Sequence, residues 1–159
     1  MRTISLLFAI VLACSLAAAQ TKVSGTGECP GKPDEIHSIE VGDHPGHIYQ
    51  ISKSTCTWTK PLEIGGLKSK DHTGVEFVEI DGNIIRERSS AIGAMDNGDK
   101  YYMRTQATSR TNEPTEGTWN FTGGTGKLKG LKGKGTYKCT PEGDNAKCDG
   151  EGECTLPSR

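Results

Sequence analysis

Gly117-Thr-Trp-Asn-Phe-Thr-Gly-Gly-Thr-Gly-Lys-Leu-Lys-Gly-Leu-Lys-Gly-Lys-Gly-Thr-Tyr137 is the stretch that decides the fold. Inside a helix each of its glycines would cost roughly 1 kcal/mol relative to alanine, whereas turns, bulges and tight barrel corners use the dihedrals that glycine reaches freely. The segment therefore reads as the closing strands of a small β-barrel. It carries no catalytic motif.

Working outward from it, strand and turn signals alternate. Residues 36–41 read as a short strand and Gly42-Asp-His-Pro-Gly46 as a turn. In 47–58, Tyr49 and Ile51 alternate with Gln50 and Ser52, and Thr55, Thr57 and Trp58 favour extended backbone. Residues 75–80 and 84–92 flank Asp81-Gly82 and read as a hairpin. After the turn Asp96-Asn-Gly98, Tyr101, Met103, Thr105 and Ala107 share one face, and Tyr102, Arg104, Gln106 and Thr108 the other. Residues 117–121 and 128–139 complete seven or eight strands. Helical periodicity is absent, and only 63–69 offers a brief turn.

Short turns between sequential strands predict an all-β chain with a single antiparallel β-barrel of eight strands, since closure removes exposed edges. A two-sheet sandwich is the competing arrangement. The dense late glycines favour the barrel because they let strands bend and approach closely. The expected organisation is a signal peptide at 1–19, an extended N-terminal segment at 20–35, the barrel at 36–140 and an acidic, glycine-rich, cysteine-containing surface tail at 141–159.

The basic start at Arg2, the apolar run from Ile4 to Leu12 and the small residues Ala17 to Ala19 have the form of an export signal. The expected location is secreted or periplasmic. The run is shorter than the ~20 residues a spanning helix needs. Membrane attachment is expected only on the competing reading, lipidation at Cys14. The chain carries 19 basic and 20 acidic side chains, and loss of Arg2 with the leader leaves 18 against 20. Such a balance argues against nucleic acid as a partner. The lysines from Lys127 to Lys138 read as a solvated strand face.

Downstream of Ala19 stand Cys29, Cys56, Cys139, Cys148 and Cys154, an odd number that leaves one unpaired. Cys148 with Cys154 and Cys56 with Cys139 are the pairings that local context suggests; spacing does not settle the connectivity. The spacings lack the short pairs of a zinc ribbon.

Chemistry is less legible. His44 and His47 stand near a turn, where His37 or His72 could join them, but the helical His-Glu-X-X-His arrangement is missing, so no metal is expected. Asp144, Asn145 and Asp149 lack the order of a calcium loop. No serine sits in Gly-X-Ser-X-Gly, and no cofactor is expected. Asn120-Phe-Thr122 has the form of an N-glycosylation acceptor. Glu76, Glu79, Glu87, Arg86, Arg88 and Arg104 lie in strands; the simplest phase puts most on the solvent face, opposite Val75, Phe77 and Met103. Any that point inward would have shifted pKa values. Aromatic walls are supplied by Tyr49, Trp58, Phe77, Tyr101, Trp119 and Phe121, and an eight-stranded barrel can enclose one small ligand. The candidate ligand-binding set is Tyr49, Phe77, Tyr101, Met103, Arg104 and Trp119.

At Gly123-Gly-Thr-Gly126, followed by Lys127-Leu-Lys-Gly-Leu-Lys-Gly-Lys-Gly135, the chain resembles the allene oxide cyclase and dirigent group of calycin-like barrels. The motif resemblance covers 117–137; over 36–109 it is topological. It implies an eight-stranded antiparallel barrel with a hydrophobic cavity, often in homo-oligomers, and members that guide cyclisation or coupling of small organic molecules. The leading expectation is a secreted barrel binding a hydrophobic or aromatic small molecule. A cyclase-like or dirigent-like enzyme is the first alternative, marked by a buried Glu or Arg in a closed pocket; an envelope structural or interaction protein is the second.

Overall fold

The computed structural model describes residues 20–157. The export signal and Cys14 lie outside them. The described elements are β1 (Thr21–Pro30), β2 (Glu35–Glu40), β3 (His47–Lys60), β4 (Glu63–Ile64), β5 (Leu67–Asp81), β6 (Ile84–Met95), β7 (Lys100–Arg110), β8 (Thr115–Gly124), a 3-10 turn (Gly126–Leu128), β9 (Lys132–Glu142) and β10 (Asn145–Thr155). Each pairing is antiparallel. Neighbours run β3-β1-β10-β9-β8-β7-β6-β5, and β5 returns to β3 along His47–Thr57. The result is a closed eight-stranded antiparallel barrel, as the glycine pattern predicts.

Two accessory strands flank it. β2 follows the same side of β3 as β1, pairing Glu35 to Glu40 with Lys53 to Ile48, and its outer edge is free among the described residues. β4 pairs only with the start of β5. Because β10 ends at Asn145, opposite Pro30, the wall built from β2, β3, β5, β6 and β7 rises above the rest of the rim.

The barrel extends further in sequence than the segment 36–140. The expected extended segment at 20–35 contains stave β1, and the expected tail at 141–159 contains stave β10, which pairs with β1 from Thr21↔Cys154 to Pro30↔Asn145. The acidic residues and the lysine run turn out to be outer faces of neighbouring strands. Glu153 stands opposite Lys134 and Lys22, and Asp149 opposite Lys138. Such cross-strand opposite charges favour this register. The strand expected at 128–139 starts later, at Lys132, because the 3-10 turn occupies Gly126–Leu128. Residues 63–69 form β4 and the first residues of β5 instead of an isolated turn.

Neither locally suggested disulfide is present. Cys29 bonds to Cys56 and Cys139 to Cys148, while Cys154 is free and buried. Both bonds join residues on adjacent staves, and the chain-entropy account gives each about 3 kcal/mol of stabilisation. Cys154 lies on the inner face of β10 inside the apolar core, too far along that strand to reach Cys148.

That core plugs one end of the barrel. Val23, Leu62, Ile64, Leu67, Met95, Tyr101, Leu128, Leu131 and Cys154 form the plug, with Trp119 and Phe121 on its inner side. The plug is apolar, as burial free energy of about 25 cal/mol per Å² favours. Aromatic rings reach it by lying on glycines. A Cβ added at Gly93 would run into the Tyr101 ring, one at Gly135 or Gly152 into Trp119, one at Gly133 into Phe121, and one at Gly117 into Tyr137. This is why the diagnostic stretch spaces its glycines by two in β9: Gly133 and Gly135 face inward opposite Phe121 and Trp119.

Gly135→Ala and Gly93→Ala should each lower the free energy of unfolding by about 2 kcal/mol, the usual cost of overpacking a filled site. Gly74→Ala, whose new methyl would meet Ala91 at an ordinary contact distance, should change it by less than about 1 kcal/mol. Urea midpoints of the three variants test this; equal midpoints would remove the special role of the rings.

Candidate functional site: an acidic lumen above the aromatic plug

Above the plug the barrel holds a lumen of about 360 Å³. Trp58, Leu62, Trp119 and Phe121 make its floor, and the two disulfides with Pro30, Pro33 and Ala146 stand at its rim. Between them lie Gly74, Ala91, Met103, Ser89, Thr105, His72, Glu76, Glu87 and Tyr137. The volume falls in the range of small-molecule pockets.

Hydrogen bonds fix the rings. Trp58 Nε1 donates to the Tyr101 hydroxyl at 3.0 Å, and Trp119 Nε1 donates to the Thr136 carbonyl at 3.1 Å. Both indoles therefore satisfy their buried donors without using the lumen. Ser89 and Thr105 share a 2.7 Å bond on the wall. The Tyr137 hydroxyl donates to Glu87 Oε1 at 3.0 Å.

The carboxyls are the unusual feature. Glu76 lies opposite Ser89 and Glu87 opposite Val78, so the two are diagonal neighbours on the inner faces of β5 and β6. No lysine or arginine lines the lumen, and neither carboxyl has an ion-pair partner among the described residues. Burial, helped by repulsion from Glu87, pushes the Glu76 pKa up to about 7. Burial also raises Glu87, against the opposing bond from Tyr137. The Tyr137 phenol is pushed well above its ordinary value, by burial first and then by the Glu87 charge. Burial lowers His72, whose Nδ1 has no hydrogen-bond partner, and which tilts against Trp58 at a centroid distance of 5.4 Å.

A single bulge explains why Glu76 faces inward, while Glu87 follows the unbroken alternation of β6 through Ser89, Ala91, Gly93 and Met95. In β5, Leu67 and Ser69 point into the barrel; the register shifts between Ser69 and Asp71, after which His72, Gly74, Glu76 and Val78 point in. One extra residue moves every following side chain to the other face. Val75 and Phe77 are consequently exposed, at 45% and 42%. The simplest alternation, with Val75 and Phe77 inward and the glutamates solvated, is thus inverted in this strand.

The six candidate ligand residues separate accordingly. Met103 and Trp119 line the lumen, and Tyr101 lies beneath its floor in the plug. Arg104 is exposed on the outer face of β7, opposite Asn120, which is also exposed. Tyr49 and Phe77 are on the outer wall as well, stacked at 5.4 Å, with the Tyr49 hydroxyl donating to Glu79 Oε1 and Arg86 pairing with Glu79. The structure thus gathers half of the set at the lumen end and sends half outside. Glu76, Glu87, Tyr137, Thr105 and His72 were absent from it. The only signal for the first two is a period-2 phase, which in β5 a bulge resets before Glu76.

Asp43, His44 and His47 converge at the turn before β3, with the two imidazoles stacked at 5.1 Å and His47 Nδ1 2.9 Å from Asp43 Oδ1. That hydrogen bond is the main cause of both a raised His47 pKa and a lowered Asp43 pKa. His72 stays in the lumen, apart from this pair. Cys29, Cys56 and His72 also cluster, but both sulfurs are committed to a disulfide.

No family model and no curated protein matches the chain. Among solved structures it is similar to the pterocarpan synthase dirigent protein GePTS1, with 12% identity over 99% of this chain and 100% of that one and a TM-score of 0.47. It is also similar to pyocyanin demethylase, with 18% identity over 86% and 100% and a TM-score of 0.48. The pterocarpan synthase dirigent protein PsPTS1 gives 11% identity over 89% and 97%, with a TM-score of 0.46. The barrel described above stands on its own strand pairing.

Glu76 couples the lumen to pH. A carboxyl with its folded pKa raised from 4.5 to about 7 favours folding most when protonated, so its contribution is complete below pH 4.5 and lost as pH rises to about 7. The loss amounts to about 3 kcal/mol. Glu76→Gln should therefore be more stable than the wild type at pH 8 and nearly equal to it at pH 4, as read from urea unfolding at both values. Equal stabilities at pH 8 would show that Glu76 is solvated.

Proposed function

We propose that the protein is an exported small-molecule-binding barrel that holds a hydrophobic or aromatic ligand in its lumen. The observation carrying this reading is the space of about 360 Å³ left above a filled plug, floored by Trp58, Trp119 and Phe121 and edged by Met103 and Ala91. A barrel stabilised only by its own side chains has no use for a gap of that size, because packing it would add stability. The two disulfides support export, since such bonds persist in oxidising compartments.

A second reading, proton-transfer catalysis of the cyclase-like or dirigent-like kind, is favoured by one feature. Glu76 titrates near neutrality inside a cavity that also holds Glu87 and Tyr137, and a group so placed can act as acid or base at working pH. On that reading the rate with a given substrate follows an apparent pKa near 7 that disappears in Glu76→Gln.

Binding is tested with N-phenyl-1-naphthylamine, whose fluorescence rises and shifts to the blue in apolar surroundings. The wild type should take up one equivalent. Ala91→Phe, which fills the lumen from β6, should weaken uptake at least tenfold while the urea midpoint shows that the barrel still folds. No uptake by the folded wild type, or uptake unchanged by Ala91→Phe, would remove the lumen as the binding site.

A further inference from the structure

The lumen has aromatic and aliphatic walls interrupted by serine and threonine hydroxyls, and its carboxyls have no lysine or arginine beside them. Its titratable lining consists of His72 and Glu76 from β5, Glu87 from β6 and Tyr137 from β9, while Asp149 touches the rim from the outer face of β10, opposite Lys138. Glu76 faces Ser52 on β3 and Ser89 on β6, neither of which can neutralise it. Glu87 receives the Tyr137 hydroxyl and has no basic partner among the described residues. Asp149 is engaged by the Thr26 hydroxyl at 2.6 Å. Elsewhere this protein pairs its strand carboxylates readily: Glu79 with Arg86, Glu116 with Lys138 and Glu35 with Lys53. On the inner face no lysine or arginine stands beside Glu76 or Glu87.

A pair of carboxyls in such a place is electrostatically incomplete. Charging either one incurs desolvation and repulsion from the other, and the attraction of a cation held between them would offset both. The aromatic lining suits the same charge, because Trp58, Trp119 and Tyr137 border the lumen and the face of an aromatic ring, of tryptophan most of all, attracts a cation. We propose that the ligand is a planar organic cation, a protonated or quaternised aromatic amine, with its charge held between Glu76 and Glu87 and its ring against Trp119 and Tyr137. This assignment rests on the lumen being the binding site.

Binding of the cation holds Glu76 and Glu87 ionised, so it releases protons and strengthens as pH rises. Protonation of His72 at lower pH acts in the same direction, and Tyr137 stays neutral throughout.

The test compares N-methylquinolinium with 2-methylnaphthalene, a neutral molecule of nearly the same shape, by calorimetry and tryptophan fluorescence on the disulfide-intact protein at pH 8 and pH 5. The cation should bind at pH 8 at least tenfold more tightly than at pH 5, and more tightly than the hydrocarbon. Glu76→Gln and Glu87→Gln should each weaken the cation about tenfold at pH 8 and leave the hydrocarbon unchanged. Far-UV circular dichroism and urea midpoints establish that both variants are folded. Hydrocarbon binding equal to or tighter than that of the cation at pH 8, or cation affinity unchanged in both variants, would overturn the proposal while leaving the lumen as a binding site. Binding of neither molecule, together with no uptake of the naphthylamine probe, would overturn both readings.

Discussion

Aromatic rings lying directly on backbone, where glycine has removed the side chain, are the contacts on which the rest of this barrel depends. Trp119 rests over Gly135 and Gly152, Phe121 over Gly133, and Tyr101 over Gly93. A methyl at Gly93 would meet the Tyr101 ring, and at Gly133, Gly135 or Gly152 it would meet both a neighbouring strand's carbonyl and the ring lying there. The glycines thus set the radius at which the floor is built. They let a chain with only a modest number of large apolar residues close one end of a barrel and keep the other empty.

The irregularity in β5 decides what that empty space contains. Below the bulge the strand contributes Leu67 to the plug; above it the same strand contributes His72 and Glu76 to the lumen and puts Val75 and Phe77 outside. Two glutamates on an inner face would destabilise a packed core, since charge in low dielectric is costly without a partner. They are tolerated where water or a ligand can reach them, and the Tyr137 hydroxyl offsets part of the cost at Glu87. Local backbone geometry, floor packing and lumen electrostatics are therefore one arrangement.

This explains which parts of the molecule were legible in the sequence. The β7 alternation is regular in its pairing with β6, with Tyr101 and Met103 on the inner face, whereas Arg104, a candidate ligand residue, stands on the outer face. The late glycines read as barrel strands because turns and rings lying on backbone both need residues without a side chain. β1 and β10 were invisible as strands. Their inward residues are Val23, Gly25, Gly27 and Cys29, and Ala146, Cys148, Gly150, Gly152 and Cys154, which are mostly too small to register as an apolar stripe. They are small because Trp58 and Trp119 occupy the space in front of them. The site was half legible for a different reason: a one-residue bulge leaves no mark in composition, yet it exchanges the residues that face the lumen with those that face water.

The cross-links acquire a further meaning from their place in the ring of staves. Every other neighbouring pair in the closed barrel is joined by a connecting segment, a disulfide or both, and the Cys29–Cys56 and Cys139–Cys148 bonds stop on either side of the β1–β10 boundary. There the facing sulfurs of Cys29 and Cys148 come to 4.0 Å without being joined. The first and last staves are thus held to each other without a covalent link, by backbone hydrogen bonds, packing and the side-chain bonds Thr26–Asp149 and Asn145–Glu28, across nearly the whole length of the described chain, where loop-closure entropy is greatest. Topologically the cylinder is a covalently bordered sheet rolled up along one zipper, and that zipper runs the full height of the wall beside the lumen.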